Sequence, residues 1–409
     1  MIDDATLREA LDVCPTPVYL FDQRALNDRI AHLRALLPSH AKICYAMKAN
    51  PFIVREASFL VDCIEACSPG ELRICASAGV PFEKVVLSGL WKDRCCLDEL
   101  FQAGRIPHRF TIESPQQLKD LVELANEYGR QTDVLFRLSS GNQFGVDSTM
   151  LKKLVDSCKD DPFVSIQGIQ YYSGTQKTSL KKLDRELSKL HCVVAEVEAS
   201  CLVKLNEIEY GPGFPVEYFD EDEQRARCMQ DAPIAELATL LNGFPFEGDI
   251  VLELGRSIAA DCGTYLTSVV DAKTTSGQNY AIIDGGMHQI SYYGHSMAMK
   301  CPVFRKVDTA AGVSQPWNIC GALCTVNDII AKHVPIVDLS VGDVLAFARA
   351  GAYCVTEGRA LFLSRDLPSV VVRDVSGDMH VVRHRLETAL FNSSKRSQDN
   401  AAEQDKKEN

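Results

Sequence analysis

The sequence predicts an α/β fold in which a (β/α)8 TIM barrel is joined to a mainly antiparallel β domain. Two patterns carry this prediction. From residue 42 to about residue 256, eight short apolar runs alternate with stretches of helical spacing, and eight parallel strands close such a barrel. After residue 260, short β-type segments follow one another between turn residues, without long helices.

The predicted barrel strands are apolar runs bounded by polar or turn residues. In chain order they read KICYAM, VDCIEA, KVVLSG, RFTIE, DVLFRL, SIQGIQYY, EIEYG and DIVLEL. Helical spacing fills the gaps, as in SPGELRICASAG, SPQQLKDLVELANEYG and STMLKKLVDSCK. Several of these stretches begin at a Ser or Asp suited to an N-cap, and several end in Gly, which gives each helix a start or a stop signal.

The second domain is predicted from short segments of β character. They read YLTSVVDAKT, NYAIID, VFRKVD, WNICGA, DVLAFARAG and SVVVRD. The stretch TPVYLFD at 16–22 precedes the barrel and is expected to join this second sheet. The predicted domains are therefore the barrel at 24–258, the β domain at 1–23 with 259–390, and a disordered polar tail at 391–409.

Composition limits the classes of function. The 409 residues are 46% apolar and 24% charged, and a net charge of −12 without a basic stripe argues against nucleic-acid binding. No apolar run reaches the ~18 residues that span a bilayer, so no membrane segment is expected, and the acidic, amphipathic first residues are not expected to act as a signal peptide. The 16 cysteines lack zinc-site spacing, so we expect no metal site and a reducing cytoplasm.

Unusual polar residues follow the predicted barrel strands, where chemistry sits in such barrels. Lys48 ends the first strand, while GPGF at 211–214 and ELGRS at 253–257 end the seventh and eighth. Backbone N–H groups in these glycine turns can surround a phosphate. Together with Glu253 they predict pyridoxal 5′-phosphate (PLP), which needs an amine for its Schiff base and an acid at its pyridine nitrogen. Singly, Lys48 is equally compatible with a surface lysine, and Glu253 with a turn cap.

These motifs resemble those of the fold-type III, PLP-dependent amino-acid decarboxylases, a family with an alanine racemase-like barrel that includes diaminopimelate, ornithine and arginine decarboxylases. YAMKAN resembles the family's Schiff-base lysine motif, GIQYYSGTQ its G-x-H-x-H-x-G-S-Q segment, YGPGF its G-G-G-F and ELGRS its E-P-G-R. Later, DGGMHQI resembles D-G-G-M-N, GALCTVND resembles G-P-x-C-x-x-x-D, and GAY at 351–353 matches outright. The resemblance runs from about residue 15 to residue 372.

The resemblance implies α-decarboxylation of an amino acid, with loss of CO2 through a Schiff-base and quinonoid intermediate. Lys48 would carry the Schiff base, Glu253 would pair with the pyridine nitrogen, and Cys324 would donate a proton to the decarboxylated carbon. Because Cys324 reaches in from a second subunit in this family, a homodimer with shared active sites is implied. The implied cofactor-binding set is Lys48, Arg137, Tyr172, Thr175, Gly211, Gly213, Glu253, Gly255, Arg256 and Tyr353. The expected substrate contacts are Thr325, Asp328, His288 and Tyr292.

Four departures from the family pattern bear on the cofactor and the substrate. Tyr172 replaces a histidine that stacks on the cofactor, and Pro212 removes one N–H donor from the glycine turn. Thr325 follows Cys324 where relatives have an acid, and HQISYYGHS at 288–296 lacks the R-P-x-L-Y run of diaminopimelate enzymes. The loss of these distal anchors favours the siderophore and antibiotic branch, such as L-glutamyl-[acyl-carrier protein] decarboxylase, which acts on modified or carrier-linked amino acids.

Three alternatives stay open at this point. One is diaminopimelate decarboxylase of lysine biosynthesis. A racemase on the same fold is the second, but such enzymes place an arginine at the pyridine nitrogen, and Glu253 argues against this. The third is a non-catalytic binding protein, a class that tends to lose the lysine or the cysteine, whereas Lys48 and Cys324 are both present.

Overall fold

The computed structural model of the chain describes residues 2–309 and 311–394. The chain forms two compact units: one is Gln23–Asp261, and the other combines Met1–Asp22 with the chain from Cys262 onward. The sequence placed these boundaries after residues 23 and 258. Most of the predicted disordered tail, from residue 395, lies outside the described residues, while Ala389–Asn392 forms a short 3-10 helix.

Strands and helices are numbered in chain order within the described ranges. The strands are β1 (Val18–Asp22), β2 (Ala41–Ala46), β3 (Cys63–Ala66), β4 (Val85–Leu87), β5 (Arg109–Ile112), β6 (Thr132–Leu138), β7 (Val164–Tyr172), β8 (Glu207–Gly211), β9 (Asp249–Leu254), β10 (Gly263–Thr275), β11 (Gln278–Ile283), β12 (Phe304–Lys306), β13 (Ser314–Cys320), β14 (Ile329–Val337), β15 (Val344–Phe347), β16 (Ser369–Arg373) and β17 (Met379–Arg383). The α-helices are α1 (Asp4–Val13), α2 (Gln23–Leu36), α3 (Val54–Leu60), α4 (Pro69–Ser77), α5 (Arg94–Gln102), α6 (Pro115–Tyr128), α7 (Ser148–Cys158), α8 (Leu180–Cys201), α9 (Glu223–Asn242) and α10 (Arg256–Ala259).

The first unit is a closed barrel of parallel strands. Strands β2 to β9 pair in chain order, and β9 pairs back onto β2, where Cys44 lies opposite Glu253. Each of the eight predicted runs coincides with one of these strands. The predicted (β/α)8 barrel is confirmed, and its closure brings the carboxyl ends of all eight strands to one rim.

The barrel helices begin and end at the predicted signals. The Ser68 hydroxyl accepts a hydrogen bond from the backbone N–H of Glu71, and that of Ser114 accepts one from Gln117. Such N-caps each contribute about 1 kcal/mol. Helix α6 ends at Gly129, whose φ of 58° is the left-handed conformation that glycine adopts without steric cost. These caps fix the loops that connect each helix to the rim.

The second unit is built on a nine-stranded, mostly antiparallel sheet. Its main path runs β14-β13-β11-β10-β1-β16-β17, and β15 pairs with both β10 and β12. The predicted strand at 16–22 joins this sheet as β1, between β10 and β16. The sequence missed β14 and β17, which are the two edge strands of the path. Edge strands carry a weaker apolar pattern, and β14 also contains Pro335 and a left-handed His333 (φ 52°).

Helix α1 covers part of this sheet with its apolar face. Leu7, Ala10 and Cys14 form a buried cluster with Leu20 of β1 and Leu266 of β10. The helix follows from the amphipathic spacing of the first residues and from Asp3, whose side chain accepts from the N–H of Thr6. The amphipathic N-terminus is therefore part of the β domain.

Within the described ranges, no helix combines the length and hydropathy needed to cross a bilayer. Across those same residues, no group of three or more His, Cys, Asp or Glu side chains is arranged to hold a metal ion. All 16 cysteines are free thiols.

Candidate active site

Lys48 lies just beyond the carboxyl end of β2. It is in a short 3-10 turn, Met47–Ala49, and the Asn50 side chain then accepts from the N–H of Phe52 as Pro51 starts the next turn. The side chains of Met47 and Ala49 are buried, whereas that of Lys48 retains 39% exposure. The turn therefore anchors the backbone while leaving the amine at the mouth of the barrel.

Two carboxylates from neighbouring strands converge on the Lys48 amine. Nζ lies 2.5 Å from Oε2 of Glu65 and 3.3 Å from Oε1 of Glu253. Glu65 is on β3 and Glu253 on β9, the two strands that flank β2. The Cys67 Sγ is 3.8 Å from the same nitrogen and donates to Oε1 of Glu65 at 3.3 Å. The sequence assigned roles in the site to Lys48 and Glu253, and none to Glu65 or Cys67.

The two carboxylates differ in acidity because their surroundings differ. Burial raises the pKa of Glu253, and the nearby charge of Glu65 raises it further, despite the opposing charge of Lys48. Burial also acts to raise the pKa of Glu65, but the charge and hydrogen bond of Lys48 outweigh it and leave the pKa below its ordinary value. Glu65 is therefore the ion-pair partner of the lysine, and Glu253 is the more basic group.

A polar network continues from Glu253 into the barrel interior. The Gln170 amide on β7 donates to Oε2 of Glu253 at 2.9 Å, and Gln170 lies opposite Glu209 of β8. Among the described residues, neither carboxyl oxygen of Glu209 has a hydrogen-bond partner, and burial raises the pKa of Glu209 well above its ordinary value. Gln170 and Glu209 were not among the predicted site residues. The available signal was a fully buried polar residue within a predicted barrel strand, but other polar residues of the same strands, such as Glu207 and Gln167, give the same signal in the sequence.

The turn after β7, which contains Gly174, and the turn after β8, which contains Gly213, are in close contact. A Cβ on Gly213, whose φ is 61°, would lie 2.1 Å from the carbonyl oxygen of Gly174. The carbonyl of Gly213 accepts from the N–H of Lys177 at 2.9 Å. A Cβ on Gly211 would lie 2.5 Å from Cδ2 of Tyr172, so the tyrosine ring packs directly on this glycine. Only glycine leaves these approaches open.

A buried arginine lies beside these turns. Arg256 begins α10 directly after Gly255, and its guanidinium donates to the Tyr218 hydroxyl at 2.8 Å and to Oγ1 of Thr175 at 3.3 Å. A buried guanidinium at this place puts a positive charge beside the two turns, and a guanidinium is well suited to bind an anion. Tyr218 was absent from the predicted set, because its segment matches none of the family motifs.

Arg137 is held at the end of β6 by a separate carboxylate. Its Nη1 is 3.4 Å from Oε1 of Glu113, and its guanidinium carbon is 4.5 Å from the ring centroid of Phe144. Glu113 also accepts from the N–H of Gly145 at 3.2 Å. Arg137 is thus buried in a defined orientation, and its contact with the cofactor stays a prediction.

Four predicted residues belong to loops of the β domain. Cys324 is exposed in the loop between β13 and β14, and Oγ1 of the adjacent Thr325 accepts from the N–H of Asn327 at 3.4 Å. In the same loop, Asp328 accepts backbone N–H bonds from residues 287 and 323 at 2.8 and 2.9 Å. Tyr353 has a φ of 65°, and its carbonyl accepts from two following N–H groups. Asp328 therefore tethers two loops, and its expected substrate contact stays a prediction.

The other two predicted substrate residues are buried in the same domain. The Tyr292 hydroxyl donates to the carbonyl of Ala348 at 2.7 Å, and the His288 side chain lines a cavity. These contacts all lie within the β domain, so substrate contact by Tyr292 and His288 stays a prediction.

The chain matches a family model described as "Pyridoxal-dependent decarboxylase, C-terminal sheet domain" over residues 18–351. The chain belongs to this family. It is 24% identical over 407 residues to L-glutamyl-[BtrI acyl-carrier protein] decarboxylase of Niallia circulans, with 94% of each chain covered. It is 27% identical over 380 residues to the diaminopimelate decarboxylase of Aquifex aeolicus, covering 86% of this chain and 85% of that one.

Solved structures give the same assignment of fold. The crystal structure of diaminopimelate decarboxylase from Methanocaldococcus jannaschii in complex with L-lysine superposes with a TM-score of 0.81 at 22% identity, covering 95% of this chain and 94% of that one. The predicted family resemblance, enzyme class and cofactor are therefore confirmed. The protein is a PLP-dependent carboxy-lyase, which removes the racemase and the non-catalytic binding protein from the alternatives.

The residues of the barrel rim fit PLP. Lys48 supplies an amine within reach of two carboxylates, and Glu253 is a basic carboxylate at one end of the site. Gly211 and Gly213 allow the close approach of Tyr172 and of the Gly174 turn, and Arg256 adds a buried positive charge beside them. An amine, an acid and an anion cradle are the three groups that this cofactor requires.

Proposed function

We propose that this decarboxylase acts on an amino acid whose side chain is conjugated or carrier-linked, in preference to a free diamino acid. The observation that carries this proposal is Thr325, which follows Cys324 where an acidic residue would pair with a distal ammonium. The segment 288–296 likewise lacks an arginine for a distal carboxylate. Because an unpaired charge is costly to bury, a site without these partners suits a neutral amide or thioester.

Two relatives support this substrate class by their names. One is the L-glutamyl-[BtrI acyl-carrier protein] decarboxylase, and the other is 2-[(L-alanin-3-ylcarbamoyl)methyl]-2-hydroxybutanedioate decarboxylase of Staphylococcus aureus, 26% identical over 386 residues. Both names describe an amino acid joined to a larger group. Diaminopimelate decarboxylases match at similar identity, so that activity is the second candidate to be tested.

The chain's own residues divide the work of the reaction. When bound, PLP accepts the electron pair of the breaking Cα–CO2⁻ bond. Lys48 binds the cofactor, and Glu65 holds the lysine side chain in place through its 2.5 Å contact. Glu253, made more basic by burial, holds the proton at the pyridine nitrogen and is itself oriented by Gln170. Gly213 and Arg256 hold the phosphate.

We further propose that Cys324 supplies the proton that replaces CO2 on the substrate carbon. Cys324 is exposed on its own domain, as a group that completes the active site of a second copy would be. The proposed assembly is a homodimer with shared sites. The free state of all 16 cysteines supports the cytoplasm as the compartment.

CO2 release from a panel of substrates tests the proposal. The panel comprises diaminopimelate, ornithine, lysine, a γ-glutamyl thioester and a γ-glutamyl amide. We expect the two conjugates to turn over faster than the three free amino acids, by roughly 10²-fold or more in kcat/KM, since a buried unpaired charge costs several kcal/mol. Fast decarboxylation of diaminopimelate would contradict the substrate assignment while leaving the PLP chemistry intact.

A reciprocal variant sharpens this experiment. Thr325→Glu supplies the missing acid and is expected to raise turnover of lysine and ornithine while lowering that of the thioester. The matched control is Thr239→Glu on α9, an exposed threonine bonded only to the backbone of its own helix. If Thr325→Glu leaves the order of substrates unchanged, residue 325 does not select the distal group.

A further inference from the structure

The β domain contains a cavity of about 290 Å³. Every residue that lines it belongs to the second unit, so the cavity lies within one domain. The side chains that decide its chemistry are Thr16, Asp284, His288, Arg365, Asp366 and Arg385. Because one water needs only ~10–15 Å³, a single bound water cannot fill this space.

His288 is a buried side chain of the cavity wall that lacks hydrogen bonds to the described part of the chain. Its side chain is 1% exposed, and among the described residues neither ring nitrogen has a hydrogen-bond partner. Buried polar groups in native proteins are nearly always paired, and an orphaned one calls for a ligand or an ordered water. Burial and, next, the charge of Arg365 lower the pKa of His288 to about 4. The imidazole is therefore neutral at physiological pH, with one N–H to donate.

The two aspartates of the cavity are already engaged. Asp284 accepts from the Thr16 hydroxyl at 2.7 Å, from the Thr267 hydroxyl at 2.6 Å and from the N–H of Ser268 at 3.0 Å. Asp366 pairs with Arg385 at 2.8 Å. Arg385 neutralises Asp366, whereas Asp284 accepts only from neutral donors in these contacts and keeps its negative charge. Both carboxylates therefore oppose a ligand that carries more than one negative charge.

Arg365 is the cation that remains uncompensated. Its Nη2 donates to the carbonyl of Ala322 at 3.1 Å, and it forms no ion pair with any carboxylate in the described part of the chain. A hydrogen bond connects the two segments of the cavity wall: the Gln289 side-chain amide donates to the backbone carbonyl of Asp366 at 2.8 Å. The cavity thus offers one arginine that has no ion-pair partner in the described part of the chain, and one imidazole N–H that has no acceptor there.

We propose that this cavity binds a small organic monocarboxylate, held between the Arg365 guanidinium and the His288 N–H. One negative charge matches Arg365, and a carboxylate oxygen satisfies the buried imidazole. A dianion is disfavoured by Asp284 and Asp366. The volume admits a molecule of metabolite size, at the lower end of ligand pockets. Occupancy would join the segment at 284–289 to that at 365–366.

Histidine NMR of the PLP-loaded enzyme tests this site without any need for turnover. The chain has nine histidines, and His288→Gln identifies the signal of interest. If that variant fails to fold, His108→Gln is used instead. His108 and His288 both have a pKa lowered to about 4, so two histidine signals should titrate in that range. The signal that is lost in His108→Gln belongs to His108, and the one that remains belongs to His288. The probes are sodium propionate, its neutral isostere propionamide and inorganic phosphate, at constant ionic strength.

We expect propionate to shift the His288 signal saturably and propionamide to leave it unchanged. Arg365→Gln should raise the propionate Kd by roughly tenfold or more, as for loss of a charge-assisted hydrogen bond. The control is Arg185→Gln on α8, an exposed arginine that also donates only to a backbone carbonyl. A non-saturable shift, an equal response to propionamide, tighter binding of phosphate, or an unchanged Kd in Arg365→Gln would each overturn the proposal.

Discussion

Lys48 and Glu65 form the shortest contact of the barrel rim described above, 2.5 Å between Nζ and Oε2, although 17 residues separate them in the chain. Adjacent strands β2 and β3 bring them together, and the Glu65 side chain is 2% exposed whereas that of Lys48 is 39% exposed. The buried partner therefore fixes the direction of an amine whose end reaches the mouth of the barrel. Glu65 therefore orients the Lys48 amine independently of the cofactor.

This arrangement predicts the behaviour of Lys48→Ala. The variant should lose the covalent link to PLP that borohydride makes permanent, and with it all measurable decarboxylation. The nearby amine of Lys177, which donates to the Gly211 carbonyl at 3.2 Å, is held by Glu186 at 2.8 Å and is not expected to replace Lys48. The variant should stay folded, since the half-exposed lysine contributes no core packing, but its melting temperature should fall because the buried Glu65 loses its ion-pair partner. Intact mass after borohydride treatment and a thermal melt measure the two effects.

Lys42→Ala is the matched control for this experiment. Lys42 is at the opposite end of the same strand, where it pairs with Asp249 at 2.6 Å on the surface. The control should keep both the PLP adduct and the activity. A borohydride-stable adduct in Lys48→Ala would show that another lysine is the anchor.

The sequence predicted the parts of the fold and site that depend on local pattern. All eight barrel strands and the position of Lys48 after β2 follow from apolar runs and from a motif whose residues are contiguous. The roles of Glu65, Gln170 and Tyr218 were not predicted, because these roles depend on which segments become neighbours. Barrel closure supplies that information, and it has no signature within any single segment.

Cys324→Ala should slow product formation more than it weakens cofactor binding. A general acid of this kind accounts for roughly 10²–10⁴-fold in rate. Without it, we expect kcat to fall within that range and part of the turnover to end in an aldehyde by-product through protonation at the wrong carbon. CO2 release, amine yield and PLP affinity are measured on the same preparation.

Cys192→Ala provides the comparison, because Cys192 is also an exposed free thiol but lies on α8 of the barrel. It should match the parent protein in all three measurements. Unchanged kinetics and a clean amine product in Cys324→Ala would remove Cys324 from the mechanism.

Gly213→Ala should weaken PLP binding. The new methyl group would meet the Gly174 carbonyl at 2.1 Å, so the two glycine turns must separate. We expect the Kd for PLP to rise about tenfold or more, equivalent to ~1.4 kcal/mol or more, in addition to the ~1–2 kcal/mol of folding stability that a left-handed alanine costs. PLP titration followed by absorbance, together with a urea melt, separates the two.

The control is Gly277→Ala, in the turn between β10 and β11. Gly277 has a φ of 75°, but a Cβ there meets nothing within 4 Å. This variant therefore carries the backbone cost without the collision and should bind PLP normally. Equal PLP affinity in the two variants would show that the cradle does not depend on the close approach at Gly213.

The buried Glu209 should make the stability of the protein depend on pH. Its carboxyl group lies in the barrel interior and has no hydrogen-bond partner among the described residues. In the unfolded chain its carboxyl titrates near 4.5, whereas burial raises its pKa well above that value in the folded protein. Between these two values the folded state keeps a proton that the unfolded state has released. The free energy of unfolding therefore falls as pH rises, and the contribution of Glu209 is fully present only below pH 4.5.

Glu209→Gln removes this dependence because an amide does not titrate. Relative to the parent holoenzyme, the variant should gain stability from pH 5 to pH 8, by up to about 1.4 kcal/mol per pH unit. Urea unfolding at each pH gives the free energy of unfolding of the variant and of the parent. Subtracting the parent value from the variant value cancels the titration of all other groups. Glu247→Gln, at a glutamate whose side chain is 90% exposed, should give a flat difference. A flat difference for Glu209→Gln as well would mean that the buried carboxyl ionises normally, and that an unseen partner compensates its charge.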